Sequence, residues 1–439
     1  MSLLETLANA QHGKVGDFYA ITKKPRQITI SPDDQIPFVP MDAIPQNGRY
    51  SPRLDYKSWQ SITSGTYFEK GDVLIGKITP SFENGKQALM NELPTDFGYA
   101  TTEVIPLHPI AADADKRLLF YYLLHPEIRE FVAERMEGAT GRQRVSESVL
   151  LDLPYPRFSP TDEKTIADCL ELVQEAKELE EQAEKLAQAL KASAMHSLFS
   201  RGLRGEPQRD SELGPVPQSW DVVALGDLGR VGNGSTPKKN VAAYWENGVM
   251  PWFTSGIVYE REINEGKQLV SQVALKECHL PIVKPGAVLI AITGQGKTLG
   301  NCAVLNIEAT VNQHLAYVQI NQSEALPGFV RGYLETQYAE LRQAGSAGGS
   351  TKGALTCGYL RTVPIPKPPI DEQAEIVAIL DAIDQKIDLH KRKRAVLEEL
   401  FKSLLHKLMT GEVRVADLDL SALDSVRHSA AQEATHGGN

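Results

Sequence analysis

The stretch Val363-Pro364-Ile365-Pro366-Lys367-Pro368-Pro369-Ile370-Asp371-Glu372-Gln373 decides how the chain is organised. A proline bars the residue before it from helical geometry, so the alternating prolines force an extended step. Beyond it, Ile376, Leu380, Ile383 and Ile387 recur at the three-and-four spacing of one helix face. An extended step therefore leads straight into a long helix. The same step stands 210 residues earlier as Leu153-Pro154-Tyr155-Pro156. Val15-Gly16-Asp17-Phe18 matches Leu225-Gly226-Asp227-Leu228, again at an offset of 210. Ile36-Pro37-Phe38-Val39 matches Met250-Pro251-Trp252-Phe253 at 214, and Lys70–Ile75 matches Pro285–Ile290 at 215. Offsets this constant, in this order, mean two copies of one unit.

Each copy follows one plan. Short β-like runs broken by Gly, Pro and Asn come first, among them Asp72–Ile78 and Ala287–Thr293. A shorter helix is expected over Lys116–Glu137 and Pro327–Ala344. Small-residue loops follow, Gly138–Arg144 and Gly345–Lys352, and then the proline step and the long helix. In the first long helix Leu172, Ala176, Leu179, Ala183, Leu186 and Leu190 form a heptad seam. In the second the seam continues through Leu397, Phe401, Leu404 and Leu408, with His390 and Arg394 at two of its positions. Ser159 is the expected N-cap of the first helix and Pro160 its first residue, and Asp162 and Glu163 suit the positive helix end. The pattern predicts an α+β chain: two pseudo-repeated mixed α/β domains separated by two long helices that pair as a coiled coil. The expected divisions are 13–156 and 218–366 for the mixed domains, 157–200 and 367–412 for the helices, 201–217 for a linker and 413–439 for a disordered tail. Leu170, Val173, Met195 and Phe199 fall off the narrow seam and are assigned to a second helix face for a protein partner.

The net charge of −10 argues against a protein that binds nucleic acid unaided. The acid is unevenly spread. Residues 1–156 hold 16 basic and 20 acidic side chains, whereas 207–369 hold 14 and 13. The four cysteines form no C-x-x-C pair, which excludes a zinc finger or a disulfide framework by spacing and fits reduced thiols in the cytoplasm. No apolar run reaches the ~18–20 residues of a membrane helix, and no secretory signal is visible.

Catalytic motifs fail on inspection. Ala291-Ile292-Thr293-Gly294-Gln295-Gly296-Lys297-Thr298 satisfies a loose P-loop pattern, but a P-loop needs a helix after its Lys-Thr. Here Leu299–Asn306 reads as a turn and another strand. The histidines form no H-x-x-x-H or H-E-x-x-H cluster, so no metal site is expected. No Asn/Asp-Pro-Pro-aromatic motif or glycine-rich cofactor loop is present. The chain is therefore not expected to bind S-adenosylmethionine or any other cofactor, nor to be an enzyme.

The proline step running into Ile376 and Leu380 resembles the junction into the second conserved helix of type I restriction–modification specificity subunits. Leu213-Gly214-Pro215-Val216-Pro217-Gln218-Ser219-Trp220 is similar to the opening of a target-recognition domain in that family. Gly234-Ser235-Thr236-Pro237-Lys238, Pro251-Trp252, Pro285–Ile290 and Val311-Asn312-Gln313-His314 fit as well. The resemblance implies two target-recognition domains, each reading half of a bipartite site in double-stranded DNA and held apart by the two long helices as an antiparallel coiled coil. It also implies two methyltransferase (M) subunits docked on the helices, and restriction (R) subunits joining them. A protein–protein scaffold with repeated binding domains is the alternative.

DNA contacts are expected from basic or amide side chains in the loops. Arg and Lys reach guanine, Gln and Asn reach adenine, and small loops admit a phosphate. In the first copy these are Lys77, Lys86, Arg142, Gln143 and Arg144. In the second they are Lys238, Lys239, Gln295, Lys297, Gln313 and Lys352. Trp245 and Trp252 are assigned to the core.

Overall fold

The computed structural model describes residues 2–9, 12–28, 30–46, 48, 50–139, 141–294, 297–346 and 354–418. It is an α+β chain of two compact units, 1–182 with 391–439 and 183–390. Its two long helices, Pro160–Arg201 of 42 residues and Ile370–Thr410 of 41, each give residues to both units.

The first unit carries two four-stranded sheets. One runs Tyr19–Ile21, Val104–Pro109, Val73–Gly76, Gln87–Leu89, antiparallel throughout. The other runs Asp55–Ser58, Gln35–Val39, Phe97–Ala100, Thr66–Glu69, with Phe38 and Val39 parallel to Tyr99 and Ala100. The buried runs predicted from the sequence lie at the sheet centres, and Val73 to Ile75 are almost wholly buried. Pro154 and Tyr155 pair with Gly13 and Lys14, so the proline step closes the domain against its own beginning. A strand of this kind tolerates proline because one of its edges needs no donor.

The second unit repeats the scheme. Its larger sheet runs Gly229–Asn233, Leu315–Ile320, Ala287–Ala291, Cys302–Leu305, Glu262–Ile263. Its smaller sheet runs Leu269–Val270, Met250–Phe253, Thr310–Val311, and Trp252 and Phe253 lie parallel to Thr310 and Val311. Pro364–Lys367 pairs with Asp221–Ala224. Single loop hydrogen bonds repeat too. Val15 N donates to Leu153 O at 2.9 Å, as Leu225 N does to Val363 O at 2.8 Å. The repeat is thus one of backbone pairing as well as of sequence.

Helix ends follow local chemistry. Ser159 Oγ accepts from Asp162 N at 3.1 Å, and the first long helix begins at Pro160 as expected. The helices expected over 116–137 and 327–344 are each broken in two. Pro126 starts a new helix because His125 before it is held extended (φ −62°, ψ 128°). Gln337 (φ −90°, ψ 12°) separates Pro327–Thr336 from Tyr338–Ser346.

Of the leucines in the expected seam of the first long helix, Leu172 is buried and Leu179, Leu186 and Leu190 are not. In the first unit Ile166 and Leu170 join Leu118 to Leu123 and Phe401, Leu405, Leu408 and Met409 in one core, with Val173 packed on it. Ion pairs Lys177–Glu398 (2.8 Å) and Lys393–Glu180 (3.3 Å) run in opposite order along the two helix segments, which are therefore antiparallel there. Leu179 is left 61% exposed. In the second unit Met195, Leu198 and Phe199 join Trp220, Phe329, Tyr333, Ile376 and Leu380. There Lys191 lies between Asp384 (2.9 Å) and Glu335 (2.7 Å), while Leu186 and Leu190 are 74% and 55% exposed. Charged and small side chains, not leucines, line the buried middle of the first helix. The four side chains assigned to an open partner face, Leu170, Val173, Met195 and Phe199, pack inside their own units instead. The second helix keeps most of its expected seam, since Ile376, Leu380, Ile387, Phe401 and Leu408 are buried.

Trp220 explains the Pro217-Gln218-Ser219-Trp220 motif. Its side chain is fully buried, and its indole N–H donates to Glu372 Oε2 at 3.0 Å. Glu372 is itself 1% exposed, and its other oxygen accepts from Leu203 N at 2.7 Å. One carboxylate ties together the linker, the opening of the second domain and the first turn of the second long helix.

Candidate nucleic-acid interface

Three loops of the second unit meet at the ends of the sheet strands. Gly234-Ser235-Thr236 passes so close to Val311 that a Cβ on Gly234 would sit 1.7 Å from Val311 O, which only glycine allows. The contact brings Thr236 Oγ1 onto Gln313 Oε1 as a donor. Gln313 Nε2 meets His314 Nε2 at 3.3 Å, and His314 Nδ1 meets Thr293 Oγ1 at 2.5 Å. His314 N also donates to Asn312 Oδ1 at 3.0 Å, which fixes the turn. The result is a connected row of polar side chains, the exposed Thr236, Gln313 and His314 and the half-buried Thr293. Such a row offers donors and acceptors to a base edge.

Of the residues chosen from the sequence here, Gln313 sits in that row and Lys238 and Lys239 are exposed on the adjoining loop. Lys297 is exposed too; its carbonyl accepts from Tyr338 OH at 2.8 Å, and Thr298 Oγ1 lies 2.8 Å from Tyr259 OH. Gln295 and Lys352 lie outside the described residues. After Lys297-Thr298 the chain turns into the Cys302–Leu305 strand, antiparallel to Ala287–Ala291, so no helix follows the P-loop-like stretch. Trp252 is 4% exposed and stacks edge-on with Trp245 at 5.3 Å, so both serve the core.

The first unit builds the equivalent place with the same backbone bonds and different side chains. Lys77 N donates to Glu103 O at 2.9 Å, as Ile292 N does to His314 O at 3.0 Å. Val145 N donates to Lys77 O at 2.8 Å, as Leu355 N does to Ile292 O at 2.8 Å. Lys77, Gln143 and Arg144 are thereby brought together. Arg144 grips Glu103 with two bonds, Nε to Oε2 at 3.0 Å and Nη2 to Oε1 at 2.9 Å. This grip holds the Glu103 carboxyl below its ordinary range, with Lys77 adding to the effect. Arg142 is exposed, with no side-chain partner among the described residues. Lys86 is turned away from the loop, its Nζ on Met41 O at 2.7 Å. Lys57 lies over the Phe38 ring at 3.4 Å in a groove with Ser64, Thr101 and Thr102.

Sequence reasoning did not select Thr236, Thr293, His314, Glu103 or Lys57. The first three stand in or beside motifs it had singled out, and their uncharged types gave no electrostatic signal. Nor did it anticipate the meeting of His125, Glu127 and His406 in the first unit, whose ligand atoms lie within 4.8 Å of one another. Burial lowers the His125 pKa to about 4 and so keeps its ring neutral. Among the described residues no helix is long and apolar enough to cross a membrane.

Residues 217–399 match the family described as the type I restriction modification DNA specificity domain. The type I restriction enzyme MjaIX specificity subunit of Methanocaldococcus jannaschii is 29% identical over 214 residues. That match spans 47% of this chain and 48% of the relative, about half its length. A putative type I restriction enzyme MjaX specificity subunit of the same organism is 26% identical over 352 residues, covering 79% of each chain. The crystal structure of a type I restriction–modification S subunit from M. genitalium shares the fold. It has a TM-score of 0.56 at 16% identity over 91% of this chain and 97% of that one.

Proposed function

We propose that this chain, a member of the type I restriction–modification specificity-subunit family, is the non-catalytic component that reads a bipartite site in double-stranded DNA. Each mixed α/β domain reads one half. The observation that carries this reading is the row Thr236–Gln313–His314–Thr293, assembled from separate loops at one exposed edge, with Lys238, Lys239 and Lys297 near it. The same backbone scheme holds Lys77, Gln143 and Arg144 at the equivalent edge of the first unit. Phosphate contacts would fix register and the amide and guanidinium groups would read bases. With a net charge of −10, part of the phosphate neutralisation falls to partner subunits.

The long helices act as a coiled-coil spacer and as the docking surface for two methyltransferase subunits, with restriction subunits joining them. Exposed leucines support that role: Leu179 and Leu400 in the first unit, Leu186, Leu190 and Leu389 in the second. Side chains this apolar, left uncovered along a helix, suit a protein partner. The assembled complex then works inside the cell on DNA, with S-adenosylmethionine held by the methyltransferase.

The test is modularity. The chain is co-expressed with its cognate methyltransferase and the methylated motif is read by methylome sequencing. Gln313→Ala should relax one half of the motif and Arg142→Ala the other. A change in both halves from either variant would refute the assignment of one half per domain. Failure of the co-purified complex to bind any duplex would favour a protein scaffold.

A further inference from the structure

The structure assigns a transition-metal site to His125, Glu127 and His406. It lies in the first unit and joins the helix Pro126–Ala133 to the last turns of the second long helix.

The geometry carries the assignment. His125 Nε2 and His406 Nδ1 face each other at 3.2 Å, with their rings stacked at 5.4 Å and 30°. Two nitrogens bound to one tetrahedral ion at ~2.0–2.1 Å stand ~3.3–3.4 Å apart, so this pair is already at ligand spacing. Glu127 supplies an oxygen donor, its Oε1 being 3.9 Å from His406 Nδ1. Its other oxygen, Oε2, accepts from Leu3 N at 2.8 Å and from Ser2 Oγ at 2.5 Å. Those bonds orient the carboxylate with Oε1 towards the histidines. A carboxylate fixed through one oxygen and presented through the other is how metal sites orient acidic ligands.

The surroundings support coordination over a purely structural role. His125 is only 3% exposed, yet neither of its nitrogens is committed to a carbonyl or a carboxylate. Nε2 meets only another imidazole, and Nδ1 has no hydrogen-bond partner among the described residues. A buried imidazole normally finds better acceptors. His406 and Glu127 keep 27% and 34% of their side-chain surface, so the site is open to solvent, from which a water would come as fourth ligand. Two imidazoles and one carboxylate suit Zn(II), Ni(II) or Co(II) and disfavour Mg(II) and Ca(II). The bound ion would fasten the short helix Leu3–Asn9, the helix Pro126–Ala133 and the second long helix at one point.

The experiment uses the full chain without a histidine tag, in the complex in which it is stable, stripped with chelator and dialysed against Zn(II). Mass spectrometry of the metal content should give one tightly held Zn(II) more per chain in the parent than in His406→Ala. Competition with a chromophoric chelator should show at least 100-fold weaker binding for His406→Ala and at least 10-fold for Glu127→Gln. Co(II) in place of Zn(II) should give the visible absorption of a four-coordinate site in the parent and lose it in His406→Ala. Because His406 is partly exposed, its alanine variant should keep the circular dichroism of the parent. Should that variant fail to fold, His406→Gln, which keeps a polar side chain without an imidazole, serves instead. Equal Zn(II) content in the parent and the folded variants, or no Zn(II) held by the parent, would overturn the assignment.

Discussion

Replacing Glu372 should destabilise the second unit more than any surface change, and the structure gives the size of the effect. The carboxylate is 1% exposed and accepts from Trp220 Nε1 at 3.0 Å and from Leu203 N at 2.7 Å. Glu372→Ala strands both donors, and each buried donor left unsatisfied costs about 1–3 kcal/mol. The variant should therefore lose about 2–6 kcal/mol before the cavity is counted. Glu372→Gln keeps one acceptor oxygen but turns a donor towards a donor, so about 1–3 kcal/mol should go. The order Ala worse than Gln is itself part of the prediction. Trp220, Trp245 and Trp252 all belong to residues 183–390 and only Trp59 to the other unit, so tryptophan fluorescence in urea follows the affected unit. At ~2–3 kcal/mol per molar, the Ala variant should shift its midpoint by on the order of 1 M or more. Trp220→Phe combined with Glu372→Gln should cost less than the sum of the two, because both remove one shared bond. An Ala variant within about 0.5 kcal/mol of the parent would place it among ordinary surface substitutions and refute the reasoning.

Other tests follow from the candidate interface and the helices. Lys238→Ala and Lys239→Ala should each weaken duplex binding evenly across sequences and flatten the slope of log affinity against log salt by ~0.9; an unchanged slope would remove them from the phosphate contacts. Glu103→Gln frees Arg144 and removes a negative charge from the same edge, so it should tighten duplex binding and steepen that slope, whereas weaker binding would mean that the pair itself contacts DNA. Arg144 holds the Glu103 carboxyl below its ordinary value of 4.5. The stability gained from that depressed value is complete above the unfolded pKa and is lost as pH falls through the lower folded one. Acid unfolding curves of the parent and Glu103→Gln should therefore diverge at higher pH and converge in acid; a constant gap would contradict the pairing. Adding seven residues to each long helix lengthens it by ~10 Å, so the methylated half-sites should move ~3 bp apart, and an unchanged spacer at full activity would deny the helices any measuring role.

The repeat was legible because it is written in short apolar strings whose backbone pairings recur. Val73 to Ile75 and Val288 to Ile290 are central strands in both units, as their composition demanded. Helix starts were legible from Ser159-Pro160 for the same local reason. The buried face of the first long helix was not. A seam reading ranks leucine above lysine, but here Lys177 and Lys191 lie inward and end in ion pairs, while Leu179, Leu186 and Leu190 lie outward. The loop residues were half legible. Gln313 and Arg144 carry recognisable chemistry, but nothing local shows that Arg144 is already held by Glu103, 41 residues away. His125 and His406 stand 281 residues apart and meet only in three dimensions.

The two units differ in how they draw on the chain, and that sets an order of events during synthesis. Residues 183–390 form one continuous stretch, so their unit has everything it needs once His390 has left the ribosome. The unit begun by the first residues does not. Its core still lacks Phe401, Leu405, Leu408 and Met409, the last of which follows His390 by 19 residues (409 − 390). At ~5–20 residues per second that gap lasts ~1–4 s. Through that interval the later-made unit is complete while the earlier-made one keeps Leu118 to Tyr122 short of their cover. A ribosome halted with His390 just emerged and Met409 still inside it should thus carry a nascent chain whose first half is cut by protease and whose second half resists.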